Sequence, residues 1–268
     1  MPEPIEITRE FGRQAFGDDP ANYDAARPGY PAWVFSTLRE TCGVGAGSAV
    51  LEIGAGAGTA TRALLALGVN PLVAIEPDAR SAAYLRAAEP SPSLQVRAET
   101  FEAAELPAGG FDLALSATAF HWLDEPLALA KIAGLLKPGG WWAALWNVFG
   151  DDAYPDRFHE ATVGVLGRVN NPSAGAAGGV AYAVDAAARI SAIDQTGAFE
   201  RVLYQTSHWP LYLTADQTVA LYATYSNVVA MPDAGAALAE LHRVAETQFG
   251  GRVTRNMTTI LYLARRKT

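Results

Sequence analysis

The chain has 268 residues, and half of them are hydrophobic, which suits one elaborated domain with a large core. It carries 20 basic and 28 acidic side chains, for a net charge of −8, without a stripe rich in Lys or Arg. This charge balance argues against a nucleic-acid partner. The one cysteine excludes an intrachain disulfide, and the scattered histidines lack the spacing of metal ligands.

The start of the chain lacks the features of a targeting segment. Residues 1–17 have neither the basic start nor the apolar run of a signal peptide. No stretch approaches the roughly 20 consecutive apolar residues that a membrane-spanning helix needs. We therefore expect a cytoplasmic protein without a membrane partner, and the sequence leaves the oligomeric state open.

Apolar runs alternate with helix-like stretches between residues 48 and 146. In chain order the predicted elements are a strand at 49–53, a helix at 59–67, a strand at 72–76, a helix at 78–88, strands at 94–97 and 111–116, a helix at 125–136 and a strand at 141–146. Asp78 is the expected N-cap of the second helix. Strands that alternate with helices predict a parallel sheet covered on both faces.

The order of elements is less regular after residue 147. We predict helices at 156–169 and 185–196, a strand at 199–209, helices at 215–230 and 233–249, and a final strand at 258–264. The Gly- and Ala-rich stretch 173–179 is either a plain connector or a mobile lid over the site. These later segments would supply a cap as well as the last two strands.

A glycine-rich loop follows the first strand of the alternating region. The strand leads through Gly54, Gly56 and Gly58 into a helix. Glycine tolerates positive φ and lets a ligand approach the backbone closely, and this loop lies where ligands bind in doubly wound sheets. A dinucleotide fingerprint places a third glycine five positions after the first, but that position is Thr59. The loop alone is therefore a moderate signal for a nucleotide-like ligand.

Two acidic residues accompany this loop. Glu52 directly precedes the first glycine, and we hypothesise that it helps to hold an ammonium group through water or backbone. Glu76 lies 22 residues after Gly54, at the end of the second strand, where a carboxylate can accept both hydroxyls of a ribose. Because NAD would use the same contact, Glu76 predicts a nucleoside ligand without identifying which one.

Four segments in this order resemble the class I S-adenosylmethionine-dependent methyltransferases: residues 50–58, 75–77, 111–116 and 136–140. Residues 23–31 and 117–124 resemble the branch that contains trans-aconitate methyltransferases and many bacterial small-molecule methyltransferases. The resemblance implies a Rossmann-like α/β fold, a doubly wound seven-stranded sheet whose last strand is antiparallel. The strands at 199–209 and 258–264 would then be strands six and seven.

The resemblance also implies where the cofactor lies. The glycines would contact the methionine part, Glu76 the ribose, Thr100 and Phe101 the adenine, and residues 116–118 would line the pocket. The full set of expected cofactor residues is Glu52, Gly54, Ala55, Gly56, Gly58, Thr59, Glu76, Pro77, Thr100, Phe101, Ser116, Ala117 and Thr118. We expect one methyltransferase domain, with an N-terminal helical cap at 1–47, a cofactor-binding core at 48–146, and the remaining strands and acceptor cap at 147–268.

His121 is the candidate general base. A sulfonium methyl group is already activated, so alignment supplies much of the acceleration, and a base is needed only when the nucleophile must lose a proton early. His121 follows the fourth strand, near the expected methyl position, and histidine titrates close to neutrality. The alternative is that His121 supports its loop by packing or hydrogen bonding.

Aromatic residues and one arginine are the candidate acceptor site. Tyr222 and Tyr225 lie three apart on a predicted helix, so they share a face, and with Trp146 they would form aromatic walls suited to a flat ring or a cation. Tyr23 and Arg27 would fold over the cofactor, and Arg27 has the planar fork that binds a carboxylate. The alternatives are packing between cap and core and anchoring of the N-terminal segment.

The sequence thus predicts a methyltransferase that uses S-adenosylmethionine, releases S-adenosylhomocysteine, and methylates an oxygen, nitrogen or carbon atom of a small molecule, such as an aromatic or amine metabolite. Two alternatives remain. One is an NAD-dependent oxidoreductase, against which Thr59 and the turn at 136–140 argue. The other is a protein that binds S-adenosylmethionine without catalysis, to regulate a partner.

Overall fold

The computed structural model describes residues 5–149, 151, 153–166, 169–173 and 180–268, so the predicted loop at 173–179 lies outside the described residues from 174 onward. A 3₁₀ turn covers Phe120–Trp122. In chain order the other elements are β1 (Ile5–Glu6), α1 (Arg9–Gln14), α2 (Pro20–Ala26), α3 (Ala32–Cys42), β2 (Val50–Ile53), α4 (Thr59–Ala66), β3 (Leu72–Ile75), α5 (Ala79–Ala88), β4 (Leu94–Arg97), β5 (Phe111–Ala117), α6 (Glu125–Leu135), β6 (Leu136–Val148), α7 (Arg157–Thr162), β7 (Val169–Asn170), α8 (Ala186–Gln195), β8 (Phe199–Thr214), α9 (Ala215–Tyr222), α10 (Ser226–Val229), α11 (Ala234–Phe249) and β9 (Arg252–Arg266).

The main sheet has seven strands in the order β4-β3-β2-β5-β6-β9-β8. Strands β2 to β6 pair in parallel, and β9 runs antiparallel to both β6 and β8. This confirms the predicted doubly wound sheet with an antiparallel last strand. Strands β1 and β7 form a separate parallel pair. Within the described residues, none of the helices combines the length and the apolarity needed to cross a membrane.

The central strands of the sheet are buried on both faces because they are apolar on both faces. Every residue of β2 and of β3 is buried. Successive residues of β6 pack on opposite sides: Trp141 joins a cluster with Leu38 and Leu64, from α3 and α4, whereas Trp142 joins a cluster with Leu129 of α6. Continuous apolar runs are what a parallel sheet covered on both faces requires.

Strands β8 and β9 extend beyond the predicted ranges 199–209 and 258–264. The pairing of β6 with β9 ends at Val148 and Thr258, whereas β8 and β9 stay paired as far as Thr214 and Arg252. Helices α7, α9, α10 and α11 pack against this extension in a separate apolar cluster that includes Val253. The extended hairpin therefore carries the C-terminal helical cap.

Two predicted helices are wrong in length. The helix expected at 156–169 ends at Thr162, whose hydroxyl donates to the Phe158 carbonyl at 2.7 Å, and Gly164 follows with its low helix propensity. The helix expected at 215–230 is broken into α9 and α10. Near the break the Thr224 hydroxyl donates to the Leu221 carbonyl at 2.5 Å, and such side-chain bonds compete with the helical backbone pattern.

Candidate active site

A cleft of about 890 Å³ lies at the carboxyl ends of β2, β3 and β5. The helices that follow β2 and β5 pack on opposite faces of the sheet, since α4 belongs to one apolar cluster and α6 to the other. A crevice opens at such a point, where the direction of winding reverses, and ligands of doubly wound sheets bind there. The loops after these three strands supply residues 54–57, 76–77 and 118–119 to the cleft wall.

The glycine loop is shaped by close contacts. Gly54 has a φ of +73°, and a Cβ atom at this position would lie 2.4 Å from the Cβ atom of Ala119. Gly58 has a φ of +97° and is the N-cap of α4, where a Cβ atom would lie 2.5 Å from Leu85. Only glycine combines positive φ with such proximity at low cost. Gly54 therefore lets the segment after β5 approach the loop, and Gly58 lets α5 pack against it.

Glu76 is held at the edge of the cleft by backbone groups. Gly56 donates its N–H to one carboxylate oxygen at 2.8 Å, and Asp78 donates its N–H to the other at 2.9 Å. Burial raises the pKa of Glu76 to about 7, against the lowering effect of these two bonds. Each carboxylate oxygen keeps a second lone pair that a ligand hydroxyl can use.

Glu52, which lines the same cleft, has one carboxyl oxygen without a hydrogen-bond partner among the described residues. One carboxylate oxygen accepts a hydrogen bond from the Thr61 hydroxyl at 2.7 Å, and the other is buried without a hydrogen-bond partner among the described residues. Burial raises the pKa of Glu52 to about 8. A cationic ligand group would satisfy the second oxygen and favour the ionised form.

Most of the predicted cofactor residues come together in this cleft, and two do not. Gly58 lies behind the wall, and Ser116 is fully buried, with its hydroxyl donating to the Ile53 carbonyl at 2.9 Å. Ser116 therefore ties β5 to the end of β2 instead of facing the cleft. The predicted residues that line the cleft are Glu52, Gly54, Ala55, Gly56, Thr59, Glu76, Pro77, Thr100, Phe101, Ala117 and Thr118.

The N-terminal helices cover the cleft with residues that the sequence reading did not identify. Gly12, Arg13 and Phe16 line it, and Gly12 lies so close to Trp122 that a Cβ atom would come within 2.1 Å of the indole ring. The Phe16 ring packs against Tyr23 at a centroid distance of 5.4 Å. The sequence contains only a weak indication of this contact, because an isolated glycine in a helical pattern such as Gly12 only sometimes marks close packing.

Ion pairs tie this N-terminal cover to the core. Arg13 pairs with Glu102, which also lines the cleft, and Arg62 of α4 pairs with Asp24 of α2. The Tyr84 hydroxyl of α5 donates to the same Asp24 at 3.0 Å. The cover is thus fastened both to the helices that follow the glycine loop and Glu76 and to the segment after Phe101.

A second cavity, of about 370 Å³, adjoins the cleft. The two share Tyr23, Tyr30, Thr59 and Thr118 as lining residues. Thr118 has a φ of +54°, unusual for a β-branched residue, and its hydroxyl is hydrogen-bonded to the Tyr30 hydroxyl at 2.8 Å. The other residues around the second cavity are Arg27, Pro28, Asn147, Phe149, Tyr225 and Met257.

The structure brings three of the five expected acceptor residues to this cavity, namely Tyr23, Arg27 and Tyr225. Trp146 and Tyr222 line neither cavity. Trp146 is buried in the sheet core, and the Tyr222 hydroxyl is bound by Arg255 in the cap cluster. Tyr222 and Tyr225 do not share a helix face because the break between α9 and α10 lies between them.

His121 is buried beside both cavities but lines neither. Its Nδ1 accepts a hydrogen bond from the Trp146 indole N–H at 3.2 Å, and its ring lies 4.7 Å from that of Trp122. Burial, aided by the charge of Arg27, lowers the pKa of His121 to about 3. A neutral imidazole has one free lone pair, which Trp146 occupies here. These contacts fit the supporting role; the catalytic role stays a prediction.

Known proteins resemble this chain in both sequence and fold. Residues 51–144 match the methyltransferase domain family. An uncharacterized methyltransferase-like protein of Schizosaccharomyces pombe is 30% identical over 162 residues, covering 60% of this chain and 61% of that protein. An uncharacterized methyltransferase of Mycobacterium bovis is 34% identical over 135 residues, covering 50% of this chain and 52% of that protein. The matched part thus spans between half and two thirds of these curated relatives.

The fold is also that of a solved methyltransferase. The structure of Haemonchus contortus phosphoethanolamine N-methyltransferase 2, in complex with phosphomonomethylethanolamine and S-adenosylhomocysteine, aligns with a TM-score of 0.56 at 14% identity, covering 94% of this chain and 58% of that one. Residues 51–144 therefore resemble a methyltransferase domain in sequence, and the whole described fold resembles that of a solved methyltransferase. This match confirms the predicted resemblance to methyltransferases.

Proposed function

We propose that this protein transfers the methyl group of S-adenosylmethionine to an oxygen, nitrogen or carbon atom of a small molecule. The observation that carries the proposal is the second cavity, which shares four lining residues with the cleft at the glycine loop. A methyl donor in the cleft and an acceptor in the cavity would meet at Thr118 and Tyr30. The aromatic rings of Tyr23, Tyr30 and Tyr225 suit a flat organic acceptor.

The cleft residues fit the chemical groups of the cofactor. The unpartnered buried oxygen of Glu52 suits the ammonium group, and Glu76 is placed to accept the ribose hydroxyls. Thr100 and Phe101 also line the cleft, and we propose that they contact the adenine. When bound, S-adenosylmethionine supplies a methyl group already activated by its sulfonium and leaves as S-adenosylhomocysteine, a neutral thioether that keeps the bonding electron pair.

The residues around the second cavity would assist methyl transfer by positioning the acceptor and not by transferring a proton. Among the described residues around the second cavity there is no Asp, Glu, His or Lys. Burial raises the pKa of Tyr30 and of Tyr225 above the ordinary value for tyrosine, so both hydroxyls stay protonated and do not act as bases. The wall residues would instead orient the acceptor and exclude water, an arrangement in which proximity supplies most of the acceleration. Any proton still on the methylated atom would pass to solvent after transfer, when the product leaves the cavity.

The test is methyl transfer from isotopically labelled S-adenosylmethionine to a panel of carboxylic acids, phenols and amines, with products identified by mass. We expect transfer to at least one class. Tyr225→Ala should raise the acceptor KM without changing cofactor affinity, whereas Tyr212→Ala, at an exposed tyrosine of β8, should change neither. Tight cofactor binding without transfer across the panel would favour the non-catalytic binding protein.

We also propose the three segments 1–47, 48–146 and 147–268 as the working division of the domain. Each truncation can be checked by its thermal unfolding. The cytoplasmic location and the absence of a nucleic-acid partner follow from composition and charge alone, and both stay predictions. Fractionation of cells and a nucleic-acid shift assay would test them.

A further inference from the structure

Arg27 brings a positive charge to the wall of the second cavity. Its Nε and Nη2 atoms donate to the hydroxyl and the carbonyl oxygen of Thr224, both at 2.8 Å. Both partners are neutral, and the guanidinium forms no ion pair with any described carboxylate. Its charge is therefore left uncompensated beside the cavity.

The guanidinium is also held in a fixed orientation. It lies between two aromatic rings, 5.0 Å from the centroid of Tyr23 and 4.4 Å from that of Tyr225. Rings hold a cation through their quadrupole without neutralising it. A planar fork fixed in this way presents its free edge to a planar oxygen anion more effectively than a flexible ammonium would.

Tyr225 adds an unsatisfied donor to the same wall. Its hydroxyl is buried and has no hydrogen-bond partner among the described residues. A buried polar group without a partner is costly, so native structures usually satisfy it with a ligand or water. An oxygen acceptor on a bound molecule would engage both Tyr225 and Arg27.

None of the described residues that line the second cavity is acidic. Asn147 is neutral and already engaged, since its amide N–H donates to Gly29 at 3.1 Å and its oxygen accepts from the Thr259 hydroxyl at 2.6 Å. Phe149, which lines the cavity, packs against a second guanidinium, that of Arg255, which lies 4.2 Å from the ring centroid. An amine cation in the cavity would be repelled by Arg27 and an anion would be attracted.

We infer that the acceptor is a small planar molecule carrying an oxygen anion, such as a carboxylate, bound with that anion toward Arg27 and Tyr225. The inference rests on the proposed function and narrows its acceptor. Of the two acceptor classes that the sequence predicted, aromatic and amine metabolites, the inference excludes the amines. The aromatic walls accommodate the planar body of the molecule, and the arginine selects its charge.

Calorimetric titration of the S-adenosylhomocysteine-saturated protein with benzoate, benzamide and benzylamine tests the inference. The three probes share a ring and differ in the charge of one substituent. S-adenosylhomocysteine lacks the sulfonium charge, so any preference reports the charge of the protein itself. We expect benzoate to bind at least tenfold more tightly than either of the others, and its advantage should shrink as salt is added.

Variants of Arg27 separate charge from folding. Arg27→Met should abolish the preference for benzoate, and Arg27→Lys, which keeps the charge but loses the fork, should retain part of it. Because Arg27 also anchors the N-terminal segment through Thr224, each variant is checked by its melting temperature and by S-adenosylhomocysteine binding. Arg39→Met, at an exposed arginine of α3 outside both cavities, is the matched control and should behave as the wild type.

The outcomes separate the inference from the proposed function. If S-adenosylhomocysteine binds but benzoate does not bind, or binds no better than benzylamine or benzamide, the inference fails alone. Persistence of the preference in a folded Arg27→Met variant would also overturn it. If S-adenosylhomocysteine itself fails to bind, the proposed function falls, and the inference falls with it.

Discussion

The cofactor cleft and the second cavity are built in different ways. The cleft forms where three neighbouring strands end, and most of its wall lies between Glu52 and Leu123. The second cavity gathers side chains from distant parts of the chain, including Arg27, Asn147 and Tyr225. A site made of successive strand ends leaves a local motif in the sequence. A site assembled by tertiary packing leaves none.

The two sites also differ in the ionisable groups that they present. Two buried acids, Glu52 and Glu76, face the cleft, whereas Arg27 borders the cavity. A cofactor with a cationic amino group suits the acidic side, and an anionic acceptor suits the basic side. Substitution of the ionisable residues one at a time, together with changes of pH, tests this difference between the two sites.

Removal of the Glu76 carboxylate should have the largest effect. Glu76→Ala loses two hydrogen bonds to a charged acceptor, each worth about 1.5 kcal/mol, so S-adenosylhomocysteine should bind about 100-fold more weakly. The dissociation constant is measured by calorimetry. Glu105→Ala, at an exposed acid outside the cleft, is the control and should bind normally. Unchanged affinity in Glu76→Ala would remove its ribose role.

Acidification should weaken cofactor binding by about tenfold between pH 8 and pH 6. The pKa of Glu76 is raised to about 7 by burial, so the carboxyl is largely protonated at pH 6 and must lose its proton to accept ribose hydroxyls. Affinity for S-adenosylhomocysteine therefore rises with pH. Glu76→Gln should reduce this dependence, and the part that remains would report the ionisation of Glu52, whose pKa is raised to about 8. A wild-type affinity that is independent of pH over this range would contradict the ionised contact.

Glu52→Gln should stabilise the ligand-free protein at high pH. Burial raises the folded pKa of Glu52 to about 8, above its ordinary 4.5, so the folded state binds the proton more tightly than the unfolded state. The stabilisation is present below about pH 4.5 and is lost as the pH rises to about 8. Each kcal/mol is worth about 2–4 °C in Tm.

The check is a set of thermal melts of both proteins at pH 5 and pH 9, without ligand. The variant should gain several degrees relative to the wild type at the higher pH, and little at the lower. Equal shifts at the two pH values would show that Glu52 is not the buried proton site.

The smallest effect is expected at His121. His121→Gln keeps an oxygen that can accept from the Trp146 indole N–H, so turnover of an identified acceptor should change less than about threefold, with cofactor affinity unchanged. A general base typically contributes about 100-fold or more. A loss of that size in kcat alone, with a normal melting temperature, would restore the catalytic prediction. Trp146→Phe, which removes the donor, is the companion variant.

The sheet and most of the cleft could be predicted because they depend on local patterns. The run from Val50 to Ile53 is wholly apolar apart from Glu52, and the glycines that follow allow the positive φ angles of a tight loop. Helix α5 begins where its N-cap Asp78 was predicted, with the Asp78 side chain accepting from Arg80 and Ser81. Strand, loop and cap are each determined by neighbouring residues, so long-range packing did not change the structure predicted from the local sequence.

The acceptor side could not be predicted because distant contacts decide it. Tyr222 and Tyr225 were expected on one helix, but Arg27, almost 200 residues away, binds the Thr224 hydroxyl and carbonyl at the break. Strands β8 and β9 extend beyond their predicted ranges because the cap helices pack against the added length of the hairpin. The contact of Gly12 with Trp122 likewise joins segments far apart in the chain.

The most direct test of the central claim is calorimetric titration of the wild-type protein with S-adenosylmethionine, S-adenosylhomocysteine and NAD in parallel. The cleft described here predicts micromolar binding of the first two and no binding of NAD. Binding of NAD alone would contradict the account and would reassign the glycine loop to a dinucleotide.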